Sequence, residues 1–133
     1  MIFIDTGAFL ARYVQRDQYH ERAIKHWQLL GQGRHRLVTS NFVIDETITL
    51  LARRTTYQFA ADRAQIFFES EALSILRPDE NDERDALKLF YKYADQKVSF
   101  TDCVSCILMK KNKIHIAFSF DRHFELMGFQ REG

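Results

Sequence analysis

Four short apolar runs, Ile2-Phe3-Ile4, Leu37-Val38-Thr39, Leu73 to Leu76 and Ile114 to Phe118, are spaced along the chain with helical periodicity between them. Runs of this length, apolar on both faces and separated by helices, suit strands of a parallel sheet covered by helices on both sides. Such sheets bind ligands at the carboxyl ends of their strands. The acids that directly follow apolar strands, Asp5 and Asp121, therefore deserve to be weighed first.

The stretches between the runs supply the helices. One is expected from about Ala8 to Tyr13. A second covers roughly His20 to Leu30, with Ala23, Ile24, Trp27 and Leu30 as its apolar stripe and Gly31 and Gly33 as its stop. Ser40 or Asn41 caps a helix from Phe42 to Arg54, and Thr56 caps another from Tyr57 to Glu71. Beyond the single proline, Pro78, a helix starts at Asn81-Asp82-Glu83 and turns Leu87, Phe90 and Tyr91 inward. Ser99 or Thr101 caps a helix from Asp102 to Lys111. Asp121 begins a last short helix to about Met127, and Gly128-Phe129 leads into a brief terminal strand.

The chain has 133 residues, 46% hydrophobic and 14% aromatic, with 12 Phe. That is enough to bury a core in one domain, residues 1–133, and too apolar for disorder. Nineteen Lys and Arg nearly cancel eighteen Asp and Glu. A polyanionic partner would therefore be held by local basic patches and not by overall charge. No segment reads as a membrane span or a secretory signal. Cys103 and Cys106, three apart in a helix, are expected to pack and not to form a redox pair or a zinc site. Together these features point to a reduced, cytoplasmic setting.

Singly, Asp5 reads as a turn former, and Asp102 and Asp121 as helix-start residues. Glu46 is different, because helical spacing places it between Val43 and Leu50 on an apolar stripe. An unpaired carboxylate there is costly, so a cation or donor partner is expected. A hard divalent ion accounts for all four acids at once, since Mg²⁺ and Mn²⁺ prefer oxygen ligands and offset the repulsion of carboxylates that share a pocket. The chemistry such a site supports is phosphodiester hydrolysis by activated water.

The motifs Ile-Phe-Ile-Asp-Thr-Gly at the start, Thr-Ser-Asn-Phe-Val-Ile-Asp-Glu-Thr in the middle, Ser-Phe-Thr-Asp-Cys at 99 to 103 and Ala-Phe-Ser-Phe-Asp-Arg-His-Phe at 117 to 124 resemble those of PIN-domain nucleases of the VapC toxin-like group. The resemblance runs from Ile2 to Phe129. It implies a three-layer α/β/α sandwich with a short parallel sheet of about five strands, and a ribonuclease with Asp5, Glu46, Asp102 and Asp121 around Mg²⁺ or Mn²⁺. It further implies Thr6, Thr101 and Ser119 as hydroxyls orienting carboxylates or water, a homodimer, and an antitoxin that blocks the pocket. Asp45, the rival to Glu46, is placed on the solvent side.

Arg12 and Arg122 are the basic residues expected nearest the site, ahead of Arg16 and the Lys110, Lys111 and Lys113 cluster. His115 is expected in the core, and His123 is a candidate to face substrate. The Phe residues are assigned to the core, with no base-stacking platform read from them. Two other readings compete. A phosphatase with Asp5 as nucleophile lacks its second acid, since Gly7 stands in that place. A non-catalytic module binding RNA or protein would have no need of intact acids.

Overall fold

The structure, a computed structural model, describes residues 1–133. Five parallel strands form one sheet in the order β3-β2-β1-β4-β5, with β1 Ile2–Ile4, β2 Leu37–Ser40, β3 Leu73–Leu76, β4 Ile116–Phe118 and β5 Gln130–Glu132. Helices α1 Thr6–Tyr13, α2 His20–Gln32, α3 Asn41–Arg54, α4 Tyr57–Glu69, α5 Glu80–Lys92, α6 Phe100–Lys111 and α7 His123–Leu126 connect them, with one 3-10 turn at Ala94–Gln96. All three residues of β1 are buried, as a central strand covered on both faces requires, so the chain is an α/β/α sandwich.

The strand order places the site. From β1 the chain steps outward to β2 and β3, then returns to lay β4 on the other side of β1. Neighbouring connections leave β1 and β4 in opposite directions, which opens a crevice at their carboxyl ends. Asp5 directly follows β1, and Ser119 to Asp121 directly follow β4.

The helix starts are fixed by side-chain caps. Ser40, and not Asn41, caps α3 by accepting the N–H of Val43, and Thr56 caps α4 through the N–H of Phe59. Ser99, and not Thr101, caps α6 by accepting the N–H of Asp102 at 3.0 Å. That bond satisfies one of the orphan donors of the first turn.

Two expectations are corrected. Leu87, Phe90 and Tyr91 do not turn inward; they are exposed. The inward stripe of α5 is Asp82, Ala86, Leu89 and Tyr93. Asp82 heads it because it completes a capping box with Asp79 and takes Lys111 at 3.0 Å, so a paired acid occupies the place an apolar residue would have held. His115 is exposed as well. Lys113 takes a left-handed φ of 57° as α6 ends, and the strand begins only at Ile116. Cys103 and Cys106 are free and fully buried, and burial pushes the Cys103 thiol up to about 11, an inert packing role.

Candidate active site

A cleft of about 470 Å³ opens at the carboxyl ends of β1 and β4, with Asp5, Glu46, Asp102 and Asp121 all in its lining. The four come from the turn after β1, the middle of α3, the first turn of α6 and the turn after β4. Asp102, Asp121 and His123 converge most closely, each offering a ligand atom within 4.8 Å of the others. His123 Nδ1 lies 3.0 Å from Asp102 Oδ2 and 3.0 Å from Asp121 Oδ1.

Ser119 links Asp5 to this group. Its hydroxyl donates to Asp5 Oδ2 at 2.8 Å and accepts the N–H of Asp121 at 3.0 Å. Asp121 Oδ1 in turn accepts the N–H of His123 at 2.9 Å. One buried hydroxyl thus ties the turn after β4 to the carboxylate after β1. Thr6 is buried with its hydroxyl unpartnered. Thr101 does not line the cleft; it uses its carbonyl to accept the Ser105 hydroxyl.

The electrostatics are those of acids crowded together out of water. Burial pushes the Asp5 carboxyl up to about 8, and the charges of Asp102 and Asp121 add to the rise against the opposing bonds from Ser119 and the Thr6 N–H. Asp102 is raised too, chiefly by burial and by Asp121, while His123 pulls it down. No Lys or Arg pairs with any of the four acids. Glu46 is half-buried, and the donor partner expected for it is not supplied by any side chain of this protein; Asp45 is exposed. Asp102 and Asp121, with His123 between them and no Lys or Arg paired to them, form a donor group that a divalent ion would suit, while Asp5 and Glu46 line the same cleft outside that group.

Sequence reasoning missed several lining residues. Asp17, Arg54 and Lys97 all face the cleft. Arg54 sits in the last turn of α3, two helical turns beyond Glu46, and that spacing was available as a signal. Lys97 is itself the left-handed residue, φ 56°, that follows the 3-10 turn, a position that no periodicity announces. Arg12 is corrected: its guanidinium lies 4.6 Å from the Trp27 ring centroid, against an apolar cavity with Phe9 and Phe67 and away from the acids. Arg122 lines the adjoining cavity.

Residues 2–130 match the family model described as PIN domain. A VapC ribonuclease of Archaeoglobus fulgidus is 32% identical over 97% of this chain and 82% of that protein. The 23S rRNA-specific endonuclease VapC20 of Mycobacterium tuberculosis is 31% identical over 97% of this chain and 95% of that protein. The crystal structure of the Mycobacterium tuberculosis VapC20 toxin, described as cleaving the sarcin-ricin loop, superposes with a TM-score of 0.87 at 29% identity, over 97% of this chain and 96% of that one. FitAcB from Neisseria gonorrhoeae shares the fold at a TM-score of 0.72 and 15% identity, over 100% and 97% of the two chains.

Proposed function

The chain belongs to the PIN-domain family, and from that premise we propose that it is a metal-dependent ribonuclease, one nuclease domain over residues 1–133. In this reading Asp5, Glu46, Asp102 and Asp121 hold Mg²⁺ or Mn²⁺, and RNA phosphodiester bonds are hydrolysed at the cleft. The observation that carries the reading is Asp5: a buried carboxylate facing two others, with its proton held to about pH 8 and no basic side chain to neutralise it. A structural acid would be paired or exposed; this one has the surroundings of a ligand.

When bound, the divalent ion supplies Lewis acidity toward a phosphoryl oxygen and lowers the pKa of water. The rest is done by the chain. Ser119 fixes Asp5 and the turn bearing Asp121, and the Ser99 cap fixes the backbone at Asp102. His123 Nδ1 stands between Asp102 and Asp121 and holds them in register. Arg54 and Lys97 line the cleft free of ion pairs, and with Arg122 they are the cations that attract and place the phosphates.

The biological setting proposed is that of a toxin restrained by a cognate antitoxin protein, which the VapC relatives support. A homodimer is proposed on the exposed face of Leu87, Phe90 and Tyr91, apolar area that a second copy would cover. No helix is long and apolar enough to cross a membrane; the cytoplasmic location proposed accords with two buried cysteines that form no disulfide.

Cleavage of an RNA panel that includes structured ribosomal fragments tests the activity. Wild type should cut with Mg²⁺ or Mn²⁺ and stop with chelator, and Asp102→Asn should be inactive. Cutting that survives both chelator and Asp102→Asn would overturn the proposal.

A further inference from the structure

Beside the acidic cleft lies a second cavity of about 1050 Å³. The two share Gln18, Tyr19, Phe120, Asp121 and His123, and the second adds Gln96, Arg122, Leu126 and Glu125, whose charge is taken up by Arg131. They are one continuous depression in which the acids occupy one end.

A pair of rings lines both cavities. Tyr19 stands at the start of α2 and Phe120 immediately precedes Asp121, and their centroids are 4.6 Å apart with planes 4° from parallel. Every other aromatic contact in the chain is tilted or edge-on. Both rings are half-buried, unlike the fully buried Phe3, Phe118 and Phe124 of the core. The pair is also braced. The Tyr19 N–H donates to Asp17 Oδ1 at 2.8 Å, and Phe120 packs edge-on against Phe118 at 5.8 Å. Arg22 lies 5.3 Å from each ring centroid and donates to the Gly133 carbonyl at 2.7 Å.

A braced, partly exposed aromatic surface beside the acids offers an outer face on which a nucleobase can stack, because every nucleobase presents a π-face. The two amides in the same cavity, Gln18 and Gln96, each carry donors and an acceptor and can reach a base edge. Arg122 supplies a cation for the chain's phosphate. Because Asp121 and His123 belong to both cavities, a base held here adjoins the phosphate at the acids.

We propose that this cavity is a nucleobase subsite, in which the Tyr19–Phe120 pair stacks an unpaired base next to the scissile phosphate and Gln18 and Gln96 read its edge. The inference rests on the ribonuclease reading above. The substrate it favours is RNA whose nucleotide beside the cut is free of a helix, in a loop, a bulge or an end, since a paired base reaches the rings only after paying the cost of unpairing and unstacking.

The test uses Asp102→Asn protein, which should bind without cutting, and short single-stranded RNA carrying the fluorescent base aminopurine or an abasic nucleotide at each position in turn. Stacking should quench aminopurine at one position, and an abasic nucleotide there should weaken binding by roughly five- to a hundred-fold. Phe120→Ala and Tyr19→Ala should bind the intact RNA as weakly as the abasic one, whereas Phe120→Tyr should retain the quench. Equal affinity for intact and abasic RNA at every position, with no quench, overturns the subsite even if wild type cuts RNA with metal. Quenching lost in Phe120→Ala upholds the subsite even if wild type never cuts, and in that case only the nuclease reading falls. The abasic comparison in otherwise unaltered protein keeps the test valid should the alanine variants fail to fold.

Discussion

The Ser119 hydroxyl donates a 2.8 Å hydrogen bond to Asp5 although 114 positions separate them in the chain. Both are buried, and the same oxygen accepts the Asp121 N–H, so one side chain sets the spacing of two acids contributed by neighbouring strands. Parallel pairing of β1 with β4, Ile4 opposite Phe118, is what brings them within reach.

Removing that hydroxyl should therefore cost activity out of proportion to its size. Ser119→Ala leaves Asp5 without its donor and frees the turn before Asp121. A loss of roughly ten- to a hundred-fold in metal affinity or cleavage rate is expected, as for other groups that orient metal ligands. Mn²⁺ titration of cleavage rate by the variant checks it, and a wild-type titration curve would contradict it.

The pH dependence of stability follows from Asp5. Its carboxyl is held at about 8 in the folded protein against an ordinary 3.8. The folded state binds this proton more tightly than the unfolded state does, so its stabilising contribution is complete below about pH 4 and drains as pH rises toward about 8. Asp102, also raised, acts in the same direction. In metal-free protein, Asp5→Asn should flatten this decline and raise the melting temperature near the upper end of that window, while abolishing cleavage. Melting curves of the two proteins across the window decide it; parallel profiles would refute the assignment.

The Ser99 cap predicts a separable effect. Ser99→Ala removes the acceptor for the Asp102 N–H, which should destabilise the fold by about 1 kcal/mol. It also loosens the start of α6, where Asp102 sits. Urea unfolding measures the first consequence and metal-dependent cleavage the second. Ser99→Thr should recover most of the stability, since its hydroxyl caps without adding charge to the cleft, and unfolding no different from Ser99→Ala would contradict the cap.

Arg54 and Lys97 should act on binding more than on chemistry. Each replacement by Ala should raise KM for RNA with a smaller change in kcat, and should lower the salt slope of binding by about one per cation removed. Arg12→Ala, whose guanidinium rests on Trp27 away from the acids, should leave that slope unchanged. Binding measured across a salt series separates them.

The lining of the cleft was legible where it lies on regular elements. A carboxylate at the end of an apolar strand, as at Asp5, or on the apolar stripe of a helix, as at Glu46, stands out against its neighbours. Burial then turned these oddities into one cleft. What could not be read is what irregular backbone carries. Lys97 is itself a single left-handed residue, and Tyr19 and Phe120 meet across two loops from opposite ends of the chain. The rotated stripe of α5 was hidden for a different reason. An inward Asp82 makes sense only once Lys111 of α6 is known to lie beside it, and that is tertiary information.

The central claim is that the four acids form one divalent-cation site. Calorimetric titration of metal-free protein with Mn²⁺ tests it most directly, comparing wild type with Asp5→Asn and Asp102→Asn in buffers of different ionisation enthalpy. The account predicts saturable binding to wild type, with protons released below about pH 8 as Asp5 gives up its own, and severe loss of binding in both variants. Absence of saturable binding to wild type, or equal binding by all three proteins, would contradict it.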